Sequence, residues 1–193
     1  KIIKWNLARF AECIITLIHD NKDRAVEIAT EVINTFENIY KEKWLNMMRD
    51  KLGLFGQDTN DRMLIMDLLT WMNDNKADYT NTFCFLMDEK FSFNKIYNNK
   101  NFLLWKKRWD TRLKLNNSSQ EKYLKLMHRV NPLVIPRNHK VEEVLMAAND
   151  GNILPMKNLN KILEKPYIYQ ENIIHYQFPN SDTKEKYQTF CGT

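Results

Sequence analysis

From Asp23 to Leu52 the chain carries apolar side chains at Val26, Ala29, Val32, Ile33, Phe36, Ile39, Tyr40, Met47 and Met48, separated mostly by threes and fours. That recurrence lines up one face of an α-helix and no face of a strand. Gly53 follows as the stop such a helix needs. One long helix, or two with a break, covers the stretch. Only four glycines and five prolines are spread over 193 residues, too few for the tight turns of a many-stranded β fold. The expected fold class is all-α.

The remaining segments repeat the pattern. Between residues 5 and 18, Trp5, Ala8, Cys13, Ile15 and Ile18 stand among Leu7, Phe10, Ala11, Ile14 and Leu17, which predicts a helix buried on much of its girth. Asp58-Thr59-Asn60-Asp61 offers capping oxygens ahead of the apolar run Met63 to Met72, and Asp78 to Thr82 does the same ahead of Phe83, Phe85, Leu86 and Met87. The Asn-rich tract 94–101 reads as a loop, and Phe102, Trp105 and Trp109 return to helical spacing. Ser118-Ser119-Gln120-Glu121 has the form of a capping box for a helix holding Tyr123, Leu124, Met127 and Val130.

Asn131-Pro132-Leu133-Val134-Ile135-Pro136-Arg137-Asn138 places two prolines four apart. Each pushes its predecessor out of the α region, so this is an extended connector. Asn138 is expected to cap the next helix, with Val144, Leu145 and Ala148 as core and Gly151 as its stop; Pro155 suits the first turn of a further helix through Leu163. After Pro166 the periodicity ends, and residues 166–193 read as a tail wrapped on the surface. No repeat and no Gly/Ser-rich linker divides the chain, so residues 1–193 read as a single helical domain.

The residues argue against chemistry carried within this chain. The glycines stand singly at Gly53, Gly56, Gly151 and Gly192, so no phosphate-cradling loop can be built. His19, His128, His139 and His175 lack the helical spacing of a metal pair, and no metal ligand is assigned. Cys13, Cys84 and Cys191 form neither a disulfide framework nor a zinc pattern, which suits a reducing cytoplasm. Cys13 and Cys84 sit among core positions. Asp58 with Asp61, and Glu142 with Glu143, lie where helix starts favour negative charge, so capping explains them better than acid–base work.

No apolar run is long enough to cross a bilayer, and no membrane partner is expected. The opening Lys1-Ile2-Ile3-Lys4-Trp5 has no signal-peptide pattern and reads like the middle of a longer protein. The net charge of +5 gathers in residues 89–114, where Lys90, Lys95, Lys100, Lys106, Lys107, Arg108, Arg112 and Lys114 face Glu89 and Asp110. Such a region could attract phosphate, although no nucleic-acid motif accompanies it.

Five stretches, in order along the chain, carry a resemblance. They are Trp5-Asn6-Leu7-Ala8-Arg9-Phe10-Ala11-Glu12, Lys51-Leu52-Gly53-Leu54, Asp78-Tyr79-Thr80-Asn81-Thr82-Phe83, the run Asn131 to Glu143, and the ending Tyr187-Gln188-Thr189-Phe190-Cys191-Gly192-Thr193. Together they resemble the YdiU or selenoprotein O family of kinase-like protein adenylyltransferases, in its bacterial branch. The resemblance implies a fold that transfers AMP from ATP, with magnesium, to Ser, Thr or Tyr hydroxyls of protein substrates. It also implies that the catalytic and metal-binding residues lie upstream of Lys1, leaving none in this chain.

One functional position is implied here: Cys191 occupies the place where the family often has selenocysteine or cysteine, which makes it a redox candidate. Cys84 departs from the family, which commonly has Arg after Thr-Phe. Asn131, Arg137 and Asn138 are motif residues read as fixing the connector and a helix cap. The expectation is a helical C-lobe of a kinase-like fold with a C-terminal helical extension, inactive and cofactor-free by itself, whose partner is the missing N-terminal lobe. Apolar surface near residues 2 to 14 should be left exposed where that lobe docks. The alternative is a free-standing helical module binding nucleic acid or an acidic partner through residues 89–114.

Overall fold

A computed structural model describes residues 2–88, 90 and 95–180. Among them every regular element is helical: α1 (Ile2–Cys13), α2 (Ile15–Ile18), α3 (Lys22–Lys51), α4 (Asp61–Asp74), α5 (Tyr79–Met87), α6 (Lys100–Lys114), α7 (Gln120–Val130), α8 (Asn138–Asn149), α9 (Leu154–Leu163) and α10 (Ile174–Gln177), with a 3₁₀ turn at Lys95–Asn98. The all-α class follows the sequence directly. The chain divides into two compact units, residues 1–48 and 49–193, with the boundary inside α3.

In the first unit, the periodic stretch is one unbroken helix of 30 residues, α3. Asn21 caps it, its Oδ1 accepting from Arg24 N at 3.0 Å. Lys4 Nζ donates to Asn34 Oδ1 at 3.0 Å, tying α1 to α3. The expectation of a helix buried on much of its girth is overturned: α1 contains no buried residue. Ile2, Ile3, Trp5 and Phe10 are 67%, 50%, 58% and 63% exposed, which is the uncovered apolar surface expected near residues 2 to 14. Cys13 is exposed as well, against its reading as a core residue.

In the second unit, α4 and α6 pack together around aromatic rings, because Trp71, Phe102, Trp105 and Trp109 recur on facing stripes. Trp71 lies 4.5 Å from Phe102 between ring centroids, and Phe85 stacks on Tyr97 at 4.2 Å. Buried indoles need acceptors. Trp105 Nε1 donates to Leu64 O at 2.8 Å, Trp109 Nε1 to Leu52 O at 2.9 Å, and Trp71 Nε1 to Asn99 Oδ1 at 3.3 Å. Asn99 also caps α6, accepting from the backbone of Asn101 and Phe102. The Asn-rich tract is therefore partly structured.

Several expected caps differ. α7 begins after Ser119, which makes no side-chain cap bond, so the Ser118-to-Glu121 box is not formed. Asn138 is the first residue of α8 rather than its cap, a position held by Arg137 in extended conformation. Helix stops follow the sequence better. Leu54 N donates to Arg49 O and Gly53 N to Asp50 O, closing α3 in a Schellman motif with Gly53 at φ +69°. Gly151 closes α8 in the same way.

Candidate functional site

Three stretches far apart in sequence meet in the second unit: the end of α3 at Lys51, the start of α5 at Asp78 to Cys84, and the connector from Asn131 to Arg137. Asn131 ends α7 with extended backbone, and its Nδ2 donates to Lys51 O at 2.8 Å. It is 1% exposed. The prolines on either side of Leu133 and Val134 keep the connector extended, and both of those side chains are buried.

Arg137 fixes the other end of the connector. Its two terminal nitrogens donate to Asp78 Oδ2 and Oδ1 at 2.5 and 2.9 Å, a paired geometry only a guanidinium can adopt. One of them also donates to Gln177 O at 2.7 Å. Asp78 in turn caps α5 by accepting from Asn81 N at 2.8 Å. Asn138, the third motif residue, is exposed. The structure thus brings Asn131 and Arg137 to one connector with different anchors. Cys191 lies outside the described residues, as does the rest of the 187–193 motif.

Around these contacts sit the ionisable groups. Lys51 Nζ lies 4.6 Å over the Phe83 ring and 5.5 Å from the Tyr79 ring centroid. Burial lowers its pKa below the usual lysine range, and burial raises that of Tyr79. Cys84 Sγ points at Pro132 O, 3.6 Å away. Burial, reinforced by Asp78, pushes its thiol up to about 12, and the nearby Arg137 and Lys51 do not reverse this. A thiol held there is protonated at neutral pH and unsuited to nucleophilic work. Chemically, the arrangement fastens three chain segments.

A second cluster was invisible to local sequence reading. Asp61, fully buried, accepts from Arg49 Nε at 2.6 Å, from Arg112 Nε at 2.7 Å and from Asp58 N at 3.0 Å. Arg112 also donates to Phe55 O at 3.1 Å. Asp61 opens α4, as its helix-start pattern leads one to expect, and is in addition the centre of a buried ion triad. Its arginine partners lie 12 and 51 residues away, and no spacing rule links such positions. The triad also removes Arg112 from the basic stretch 89–114, and Arg108 is engaged with Asp67 at 2.6 Å.

The carboxylates of the two clusters are not free to ligate magnesium. Asp61 and Asp78 are both occupied by guanidinium groups, and no group of three or more His, Cys, Asp or Glu side chains among the described residues could hold a metal ion. Among those residues no helix is long and apolar enough to cross a membrane.

The family model described as protein adenylyltransferase SelO matches residues 1–164. The chain belongs to the SelO/YdiU family. The protein nucleotidyltransferase YdiU of Pelagibacter ubique is 52% identical over 193 residues, with all of this chain and 40% of the relative covered. That of Alcanivorax borkumensis is 44% identical over 193 residues, again covering all of this chain and 40% of the relative. That of Clostridium beijerinckii is 41% identical over 192 residues, covering all of this chain and 39% of the relative. The chain thus spans about 40% of the length of the curated relatives it matches. Set against the SelO/YdiU resemblance, the meeting point of Lys51, Asp78, Phe83, Asn131 and Arg137 joins three of the five quoted motif stretches. Where the resemblance leads one to expect arginine after Thr-Phe, this chain has the buried Cys84.

Proposed function

We propose that this chain is the helical C-terminal portion, the C-lobe and extension of a kinase-like fold, of a protein adenylyltransferase that moves AMP from ATP to Ser, Thr or Tyr hydroxyls of other proteins. The observation that carries the reading is the family match over residues 1–164, joined to coverage of all of this chain but only about 40% of each relative named nucleotidyltransferase. ATP and magnesium then belong to the parent's remaining residues, as the family resemblance implies. When bound there, magnesium would neutralise the charge of the transferring phosphate.

In this reading the chain's own residues serve as a platform. The buried triad and the Arg137–Asp78 pair hold α3, α5, α6 and the connector in fixed register, and catalysis that depends on positioning needs a rigid support. The exposed apolar residues of α1 fit a surface covered by the rest of the parent. Cys191 is the redox candidate, and a cytoplasmic setting suits a chain whose cysteines form no disulfide framework.

The test uses the full-length protein with ATP labelled at either the α- or the γ-phosphate. Label transferred to protein from the α position and not from γ supports the reading. Transfer from γ, or no transfer together with RNA binding that weakens steeply with salt, overturns it. The 193-residue chain alone should transfer neither label.

A further inference from the structure

Residues 166–177 cross the connector and are held at both ends by one residue of it. Leu133 N donates to Pro166 O at 2.7 Å, and Leu133 O accepts from Gln177 Nε2 at 2.9 Å. Leu133 is itself 2% exposed. Between these ties the chain is exposed at Tyr167, Ile168, Tyr169 and Ile174, while Ile173 is fully buried like a plug. Two buried side chains, Ile173 and Gln177, the end ties and the bonds from Gln170 Nε2 to Ile162 O and Lys165 O, both at 2.9 Å, make a unit that is small beside the aromatic core, and such units open at lower free energy than the core.

The end at Gln177 is the more elaborate. Its carbonyl accepts from Arg137 at 2.7 Å and from Asn81 Nδ2 at 3.1 Å, while its side chain serves Leu133. Arg137 can reach that carbonyl because Asp78 orients the guanidinium from the opposite side, and the Arg137 side chain is only 9% exposed. Asp78 is in turn set by its capping bond to α5. A line of polar contacts therefore runs from the start of α5 through Asp78 and Arg137 to the end of α10.

We propose that residues 166–177 form a strap that opens as one unit over the connector, with the Arg137–Asp78 pair as its latch. Opening withdraws Ile173 and frees both backbone groups of Leu133. It also frees the point from which the chain continues past Gln177. A hydrogen bond from a charged donor in a partly buried place is stronger than a neutral one, so the latch end dominates the hold.

Hydrogen exchange on the full-length protein tests this with two variants that act from opposite sides of the latch. Arg137→Lys keeps a charge but loses the two-nitrogen fork that pairs both Asp78 oxygens while reaching Gln177 O. Gln177→Glu keeps the ion pair and removes the donor to Leu133 O. In each, amides of residues 167–177 should exchange about tenfold faster, the scale expected for loss of one such bond, while those of α4 and α6 keep their protection. Unchanged exchange in 166–177 would refute the latch. Acceleration of α4 and α6 in step with 166–177 in both variants would show that the segment is part of the core and no strap.

Discussion

Arg112 Nε lies 2.7 Å from Asp61 Oδ1 across 51 residues of sequence, and the carboxylate it shares with Arg49 is fully buried. Removing the carboxylate's charge leaves two guanidinium groups together in a site without their common counter-ion. Asp61→Asn should therefore destabilise the protein by about 3–5 kcal/mol, the usual cost of breaking a buried ion pair from one side. Urea titration measures this. A variant that unfolds at the parent's midpoint would show that the triad contributes little.

The same carboxylate sets an acid limit. Burial works to raise the pKa of Asp61, but hydrogen bonds from Arg112, Arg49 and the Asp58 backbone together outweigh it and bring the value below the ordinary 3.8. A depressed folded-state pKa means the unfolded chain binds the proton more readily. The contribution is fully present above about pH 4, the unfolded value, and is lost as pH falls through the folded one. Stability measured from pH 7 downward should hide the triad until that point and then drop. In Asp61→Asn this part of the acid slope should be missing.

How much of this could be read in advance depends on the range of the interaction. The helices of α3, α4 and α6 announce themselves, because an apolar stripe is a pattern of neighbours three and four apart. Gly53 and Gly151 mark helix stops for an equally local reason, the left-handed backbone they tolerate. The connector was legible from Pro132 and Pro136. What could not be read is long-range: Asp61 looks like a helix-start residue until Arg112 arrives from α6, and Gln177 sits in a segment with no periodicity until Arg137 grips its carbonyl. Asn138 and Ser118 failed as caps because each helix starts one residue away from the position their motifs suggest. α1 is exposed although its sequence fits a buried helix, because an apolar stripe reports what a helix could bury, whatever happens to lie against it.

The two described thiols should differ sharply in reactivity. Cys13 is exposed, whereas Cys84 is 1% exposed and its thiol is pushed up to about 12 by burial. At pH 8 a neutral maleimide should label Cys13 readily and Cys84 orders of magnitude more slowly, since the thiolate is the reacting species. Peptide mapping by mass spectrometry after timed quenching separates them. Urea sufficient to unfold the chain should bring both to similar rates, and equal labelling without denaturant would contradict the burial of Cys84.

Two helix stops with the same backbone and different residues give opposite predictions. Gly53 follows α3 at φ +69°, and a Cβ there would meet Met127 Sδ at 3.0 Å and Tyr123 Cβ at 3.2 Å. Gly53→Ala combines left-handed strain of about 1–2 kcal/mol with a clash against a side chain, Met127, that is itself fully buried. Its cost should exceed the strain alone. After α4, Ala77 N donates to Met72 O and Lys76 N to Asn73 O, the same closing pattern, but Lys76 takes the left-handed position at φ 54°. Lys76 is exposed, so shortening it to glycine loses little packing and relieves the strain. Lys76→Gly should raise stability by up to about 1 kcal/mol, a gain reduced by the extra freedom glycine adds to the unfolded chain. Thermal unfolding of the two variants beside the parent decides the matter: a midpoint lowered by Lys76→Gly, or untouched by Gly53→Ala, would contradict the strain assigned to these turns.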